Sequence, residues 1–312
     1  MTESQWPKLD WQQWRATALH LQLMTQIVGK IRLALTPWLN HGWHVPLYVT
    51  PRGLGTSPIP SEAGPFEIDL DLQAHELRVT CAGGGTRTRP LEAGTIAAFY
   101  ADILAMLAEL GIAVKIVTLP NEMPDPVRFP DDHAERPWDR EAVARFHRAL
   151  LTVDRIFKQF RTGFLGKASP VHFFWGSFDL AVTRFSGRAA PPHPGGVPGL
   201  PDAVTREAYS HEVSSAGFWP GSDAAPRAAF YSYAYPTPEG FAEAPVRPEA
   251  ALWSSELGEF LLDYDAVRSA PDPEAALLDF LQSTYDAAAI LGSWDRAALE
   301  CAPGETRKPR RV

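Results

Sequence analysis

The chain has 312 residues, 45% of them hydrophobic and 21% charged, with a formal net charge of −8. That is ordinary globular composition for one large domain or two small ones, and it excludes a disordered or fibrous chain. The acidic balance argues against nucleic acid and anionic membrane as partners, because both are gripped by basic surface.

The basic residues Arg307, Lys308, Arg310 and Arg311 are confined to the tail. Cys81 and Cys301 lie far apart and make neither a disulfide framework nor a cysteine zinc site. The opening MTESQWPKLDWQQW lacks the charged and apolar segments of a signal peptide. No run approaches the roughly 20 apolar residues that span a bilayer. A cytoplasmic location is the expectation.

A first helix is predicted from Trp11 to Leu35, with Trp14, Leu21, Met24, Val28, Ile31 and Leu35 on one stripe and Pro37 beyond its end. WHVPLYVT (43–50) reads as a strand and residues 52–55 as a turn. FEIDLDL (66–72) and the following QAHELRVTCA form a hairpin turning near Gln73 to His75. GGGT (83–86) is a flexible connection. Ile96 to Leu110 is a second helix stopped by Gly111, and AVKIVTL (113–119) a further strand. A proline-rich linker covers 121–137.

The pattern then restarts. Asp139 caps a long helix to Phe164 whose apolar stripe includes Val143, Phe146, Leu150, Val153, Phe157 and Phe160. Strands follow at 170–175, 178–186, 207–215, 228–235 and 258–265, and a last helix at Pro273 to Leu291. A Pro/Gly-rich spacer, 189–203, is expected to be mobile or a flap. The chain therefore divides into an N-terminal α+β half (1–120), a C-terminal α+β half (138–300) and a flexible basic tail (301–312). The long-helix stripes superimpose at an offset of about 125 residues, Leu21 on Phe146 and Val28 on Val153. This points to pseudo-repeated halves sharing one core; the alternative is the chance order of any α+β chain. The fold class expected is α+β, antiparallel sheet with long amphipathic helices packed on one face.

The chemistry concentrates between Ser169 and Pro236. In strands dense in aromatics stand His172, Trp175, Asp179, Arg184, Arg188, Tyr209, His211, Glu212 and Tyr233. Ionisable groups on a pleated, half-buried surface are costly unless paired, hydrogen-bonded or used. Strand alternation puts His172 with Phe174, Asp179 with Ala181 and Thr183, His211 with Tyr209 and Val213, and Tyr231 with Tyr233 and Tyr235. If His172, Asp179 and His211 converge, they suit either a carboxylate-oriented acid/base pair or a mononuclear metal. The bland alternative is structural histidines and a plain Asp179–Arg184 ion pair. Arg184 and Arg188 would clamp an anion, the guanidinium fork matching two oxygens.

The strings SPVHFFWGSFDLAVTRFSGR, REAYSHEVSSAGFWPG and LHLQLMTQIVGKIRLALTPWLNHGWHVPLYVTPRGLGTSPIP resemble a bacterial family catalogued only as a domain of unknown function. The resemblance runs from Trp6 to about Glu300 and implies one functional unit; it transfers no residue role. The leading expectation is an enzyme or binding protein for a small, anionic molecule. In it His172 and His211 move protons, Asp179 or Glu212 orients them, Tyr209 supplies a hydroxyl, and Arg184, Arg188, Trp175 and Tyr233 bind the ligand. One alternative gives His172, His211 and Asp179 or Glu212 to a metal. The other is a non-catalytic interaction protein. Cofactor, substrate and oligomeric state are not legible in the sequence.

Overall fold

The computed structural model describes residues 5–310. The first helix, α1 (Trp11–Leu35), opens the chain and leads into two antiparallel sheets. The first sheet is a meander of β1 (Tyr48–Thr50), β2 (Gly53–Gly55), β3 (Phe66–Asp71), β4 (Glu76–Cys81) and β5 (Thr86–Pro90), in that spatial order. After it come α2 (Ile96–Glu109) and α3 (Arg140–Thr162). The second sheet takes β6 (His172–Phe174), β7 (Asp179–Ala189), β8 (His211–Trp219), β9 (Ala229–Tyr235), β10 (Leu252–Ser254) and β11 (Glu259–Asp263), in the order β10-β11-β9-β8-β7-β6. A short α4 (Asp202–Ala208) interrupts it, and α5 (Tyr264–Arg268), α6 (Pro273–Leu291) and α7 (Arg296–Leu299) close the chain. The class is α+β.

The sheets meet edge to edge. Leu47, just before β1, exchanges both backbone hydrogen bonds with Phe173 of β6, at 2.9 and 2.7 Å. One contiguous cluster of buried apolar side chains runs through both halves, from Met24 and Ile68 to Phe157, Phe230 and Leu281. Burial of this kind stabilises by roughly 25 cal/mol per Å² of apolar surface. It explains why the helix stripes are the strongest sequence signals: α3 and α6 lie against the inner face of the second sheet, and α1 packs beside α2 and α3. Asp139 caps α3 by accepting from the Ala142 N–H at 3.0 Å, as its position predicts.

The predicted strands differ in four places. Residues 113–119 keep their alternation but pair with no strand; the Thr118 carbonyl accepts instead from the Phe129 N–H at 2.9 Å. Residues 43–47 turn before β1, so that strand shortens to three residues. The strand expected over 207–215 begins only at His211; Pro201 starts the helix-forming run DAVTREA as α4 instead. The last strand ends at Asp263, whose carboxylate caps α5 by accepting from the Asp265 N–H at 2.7 Å. The GGGT connection is the tight turn of a hairpin, since β5 folds back on β4. In the tail, Gly304 donates to the Thr162 hydroxyl at 2.8 Å and Arg310 to the Thr162 carbonyl, so the segment lies along the end of α3; Arg311 lies outside the described residues.

Candidate functional site

The second sheet has two unlike faces, and strand register separates them. Leu180, Val182, Phe218, Phe230 and Leu262 point inward and are fully buried. On the outward face Asp179 stands opposite Phe174, Ala181 opposite Gly217, and Gly217 opposite Tyr231; Thr183, Ser215 and Tyr233 form the next row. The Tyr231 hydroxyl donates to one Asp179 oxygen and the Ser177 hydroxyl to the other. The Tyr231 ring reaches Asp179 by lying flat across Gly217, where a Cβ would come within 2.3 Å of the phenol. Tyr233 stacks beside it, ring centroids 6.1 Å apart, and shares a hydrogen bond of 2.8 Å with the Tyr209 hydroxyl. Thr183 and Ser215 share another, also 2.8 Å.

Two further carboxylates complete this face. Glu259 comes from β11, two residues before Leu261, the partner of Tyr231. Glu122 comes from the proline-rich segment and lies directly over Gly176, where a Cβ would meet its Oε1 at 2.0 Å. Its placement begins in α1. Gln26 holds the Asn121 peptide at both ends, donating to its carbonyl at 2.9 Å and accepting from its N–H at 2.7 Å. Lys30 donates to the Asn121 side-chain oxygen, and Asn121 in turn donates to the Gly199 carbonyl at 2.7 Å. The spacer thus backs onto Glu122, and its His193 stacks on Tyr209 at 5.0 Å.

Burial raises the Asp179 carboxyl above its ordinary range, against the two hydroxyl bonds that lower it. Burial, then the nearby Asp179 charge, pushes Glu122 and Glu259 each up to about 7. Burial and the same charge drive the Tyr231 phenol well above its usual value, so it stays protonated and donates. Among the described residues no lysine, arginine or histidine pairs with any of the three carboxylates. Carboxyls that exchange protons near neutrality beside a fixed phenol have the make-up of general acid–base groups.

The expected faces hold, but the expected convergence does not. His172 sits opposite Ala181, which faces Gly217, and His211 lies six residues before Gly217 on β8, about 20 Å away at the rise of a strand. His172 is 1% exposed, its Nδ1 has no partner among the described residues, and burial followed by the Arg32 charge lowers it to about 3, so it is a neutral core histidine packed edge-on against Phe174. His211 lies at the other end, Nδ1 3.1 Å from the Ser210 hydroxyl and its ring against His41. Among the described residues no three His, Cys, Asp or Glu side chains are grouped to hold a metal ion.

Arg184 points inward. It is 1% exposed, its guanidinium 3.5 Å from the Phe160 ring centre and 4.4 Å from that of Tyr285, and it donates to the Phe160 carbonyl at the end of α3. Arg188 pairs with Glu212 at 2.7 Å and caps the end of α6 through the Ser293 and Gly292 carbonyls. Arg184 is sealed inside the core and Arg188 is committed to Glu212 and α6, so neither stands as an anion clamp, and Asp179 pairs with Tyr231 rather than Arg184. Glu212 is likewise spent on Arg188 and Ser186. Trp175 packs over Gly29 of α1 and donates to the Val45 carbonyl at 3.0 Å, which makes it a strut between the halves. Tyr209 and Tyr233 do join the site.

Glu122, Glu259, Ser177 and Tyr231 carry the site without standing among the expected residues. Gly217 near the end of β8, paired with Tyr231 in the tyrosine-rich β9, is the signal that a ring crosses there. Nothing local marks Glu122, because three segments distant in sequence position it.

The family of unknown function DUF5996 matches residues 6–301, and the chain belongs to it. No curated protein and no solved structure matches the chain.

Proposed function

We propose that this chain, as a member of that family, binds a small polar molecule on the outward face of the second sheet and acts on it by general acid–base chemistry. One observation carries the reading: three half-buried or buried carboxylates share a face with no basic side chain among the described residues to balance them. Core packing has no use for such a group, since uncompensated acids cost stability. A ligand with hydroxyl or amine donors supplies the missing partners. The acidic lining, the burial of Arg184 on the inner face and the commitment of Arg188 to Glu212 favour a neutral or cationic ligand over the anionic one expected from sequence. In the reaction, Asp179 with Tyr231 anchors the ligand, while Glu122 and Glu259 donate and accept protons near pH 7.

Thermal-shift screening of small amines and polyols tests this. At about 100 times its Kd a ligand adds about 2.7 kcal/mol, or roughly 3–4 °C for a chain of this size. The expected hit stabilises the wild type by that amount and loses its effect in Asp179→Asn and in Tyr231→Phe. A hit that stabilises both variants as well as the wild type overturns the assignment.

A further inference from the structure

We propose that Lys167 and His41 form a second, separate reactive site, an amine–imidazole pair that condenses with the carbonyl carbon of a small aldehyde or ketone. The Lys167 backbone is fixed by accepting from the Phe185 N–H at 3.0 Å. Its ammonium donates to His41 Nε2 at 2.5 Å and rests 4.9 Å from the Phe185 ring centre and 5.4 Å from that of Trp43. The imidazole is held in one tautomer. His41 Nδ1–H donates to the Ala208 carbonyl at 2.9 Å, leaving the Nε2 lone pair toward the amine. His41 keeps left-handed backbone angles, φ 60° and ψ 21°, which cost a non-glycine residue energy, and its N–H donates to Glu207 at 2.9 Å. His211 stands edge-on to the same ring at 5.7 Å.

His41 is buried while Lys167 is solvent-exposed, so a carbonyl compound reaches the amine against the Trp43 and Phe185 rings. Burial lowers both groups, which favours free amine beside neutral imidazole. In the step, the deprotonated amine attacks the carbonyl carbon and the C=O pair moves to oxygen. His41 Nε2 takes the surplus proton from nitrogen and returns it to that oxygen. Loss of water then forms the C=N bond, so amine and carbonyl become imine and water with no oxidant or reductant.

The probe is benzaldehyde with cyanoborohydride, which reduces the imine to a stable benzylamine. Peptide mass spectrometry follows all six lysines of the full chain. Lys167 is expected to be modified at least about tenfold faster than exposed Lys115, since its amine has an imidazole within hydrogen-bond reach to carry the proton. His41→Asn, chosen because asparagine tolerates the left-handed backbone, brings the two rates together with the circular dichroism spectrum unchanged. The proposal fails if the wild-type rates agree within twofold, a result that needs no variant, or if the tenfold preference survives in His41→Asn. Asp179→Asn leaves the labelling intact, so failure of the acidic site and of this one are told apart.

Discussion

A single methyl group decides whether the phenol of Tyr231 reaches Asp179. At Gly217 that methyl would stand 2.3 Å from the ring, closer than any real contact. Gly217→Ala therefore turns Tyr231 off the carboxylate at a cost of about 1–3 kcal/mol, the usual penalty for overpacking. The expected outcome is a folded protein, by circular dichroism, that no longer answers to the ligand of the wild type; unchanged ligand response means that the Tyr231–Asp179 contact does not matter. Arg184 shows the same dependence on neighbours. Its spacing on the strand resembles that of a ligand clamp, yet alternation sends it inward, where Phe160 and Tyr285 sandwich it and the α3 carbonyl takes one N–H. Burial lowers its guanidinium to about 10, and its Nε and Nη1 find no partner among the described groups.

Among the elements, α1 does more than supply core. Its inward stripe buries Leu21, Ile27, Val28 and Ile31, while Gln22, Gln26 and Lys30 grip the segments that frame the site. Gln26→Ala removes both hydrogen bonds that fix the Asn121 peptide and leaves that peptide short of partners, a loss of about 1–3 kcal/mol. The consequence belongs to the element: Glu122 loses its place above Gly176, so ligand affinity falls further than the same truncation at Gln22, whose one bond goes to the Gly176 carbonyl. Calorimetric titration of the two variants makes the comparison, and equal affinities would count against the frame. The helix stripes and the 66–81 hairpin were legible because period and turn chemistry are local. Residues 113–119 alternate without forming a strand for the same reason, since alternation says nothing of which neighbour a segment is brought against.

Across the molecule, the site's carboxyls tie stability to pH. Burial and then the Asp179 charge lift Glu122 and Glu259 from 4.5 to about 7 on folding. The folded state therefore holds protons that the unfolded chain has already released. The stability this represents is complete below pH 4.5 and is lost as pH rises through 7. Relative to the wild type, the Glu122→Gln/Glu259→Gln protein is expected to melt roughly 3 °C or more higher at pH 8, and no higher at pH 4.5. An equal offset at both pH values would show that the gain is not proton-linked. His172 works in the opposite sense. Lowered to about 3, chiefly by burial, it favours the folded state above 6.5 and loses that contribution as the pH falls.

The sequence by itself determined the class, the long helices, and the faces to which the side chains of β6 to β9 point. Those features follow from residue type and spacing along one stretch of chain. Only the tertiary structure decided which polar residues meet. His172 and His211 share a face yet lie about 20 Å apart along it, because register sets position along a strand as alternation sets only direction. Glu122 arrives from a segment that reads as a linker, held by α1 and the spacer, 95 residues before it and 78 after in their contacts with Asn121. Contacts of that separation depend on how the sheets join and what covers them, and no local pattern encodes either.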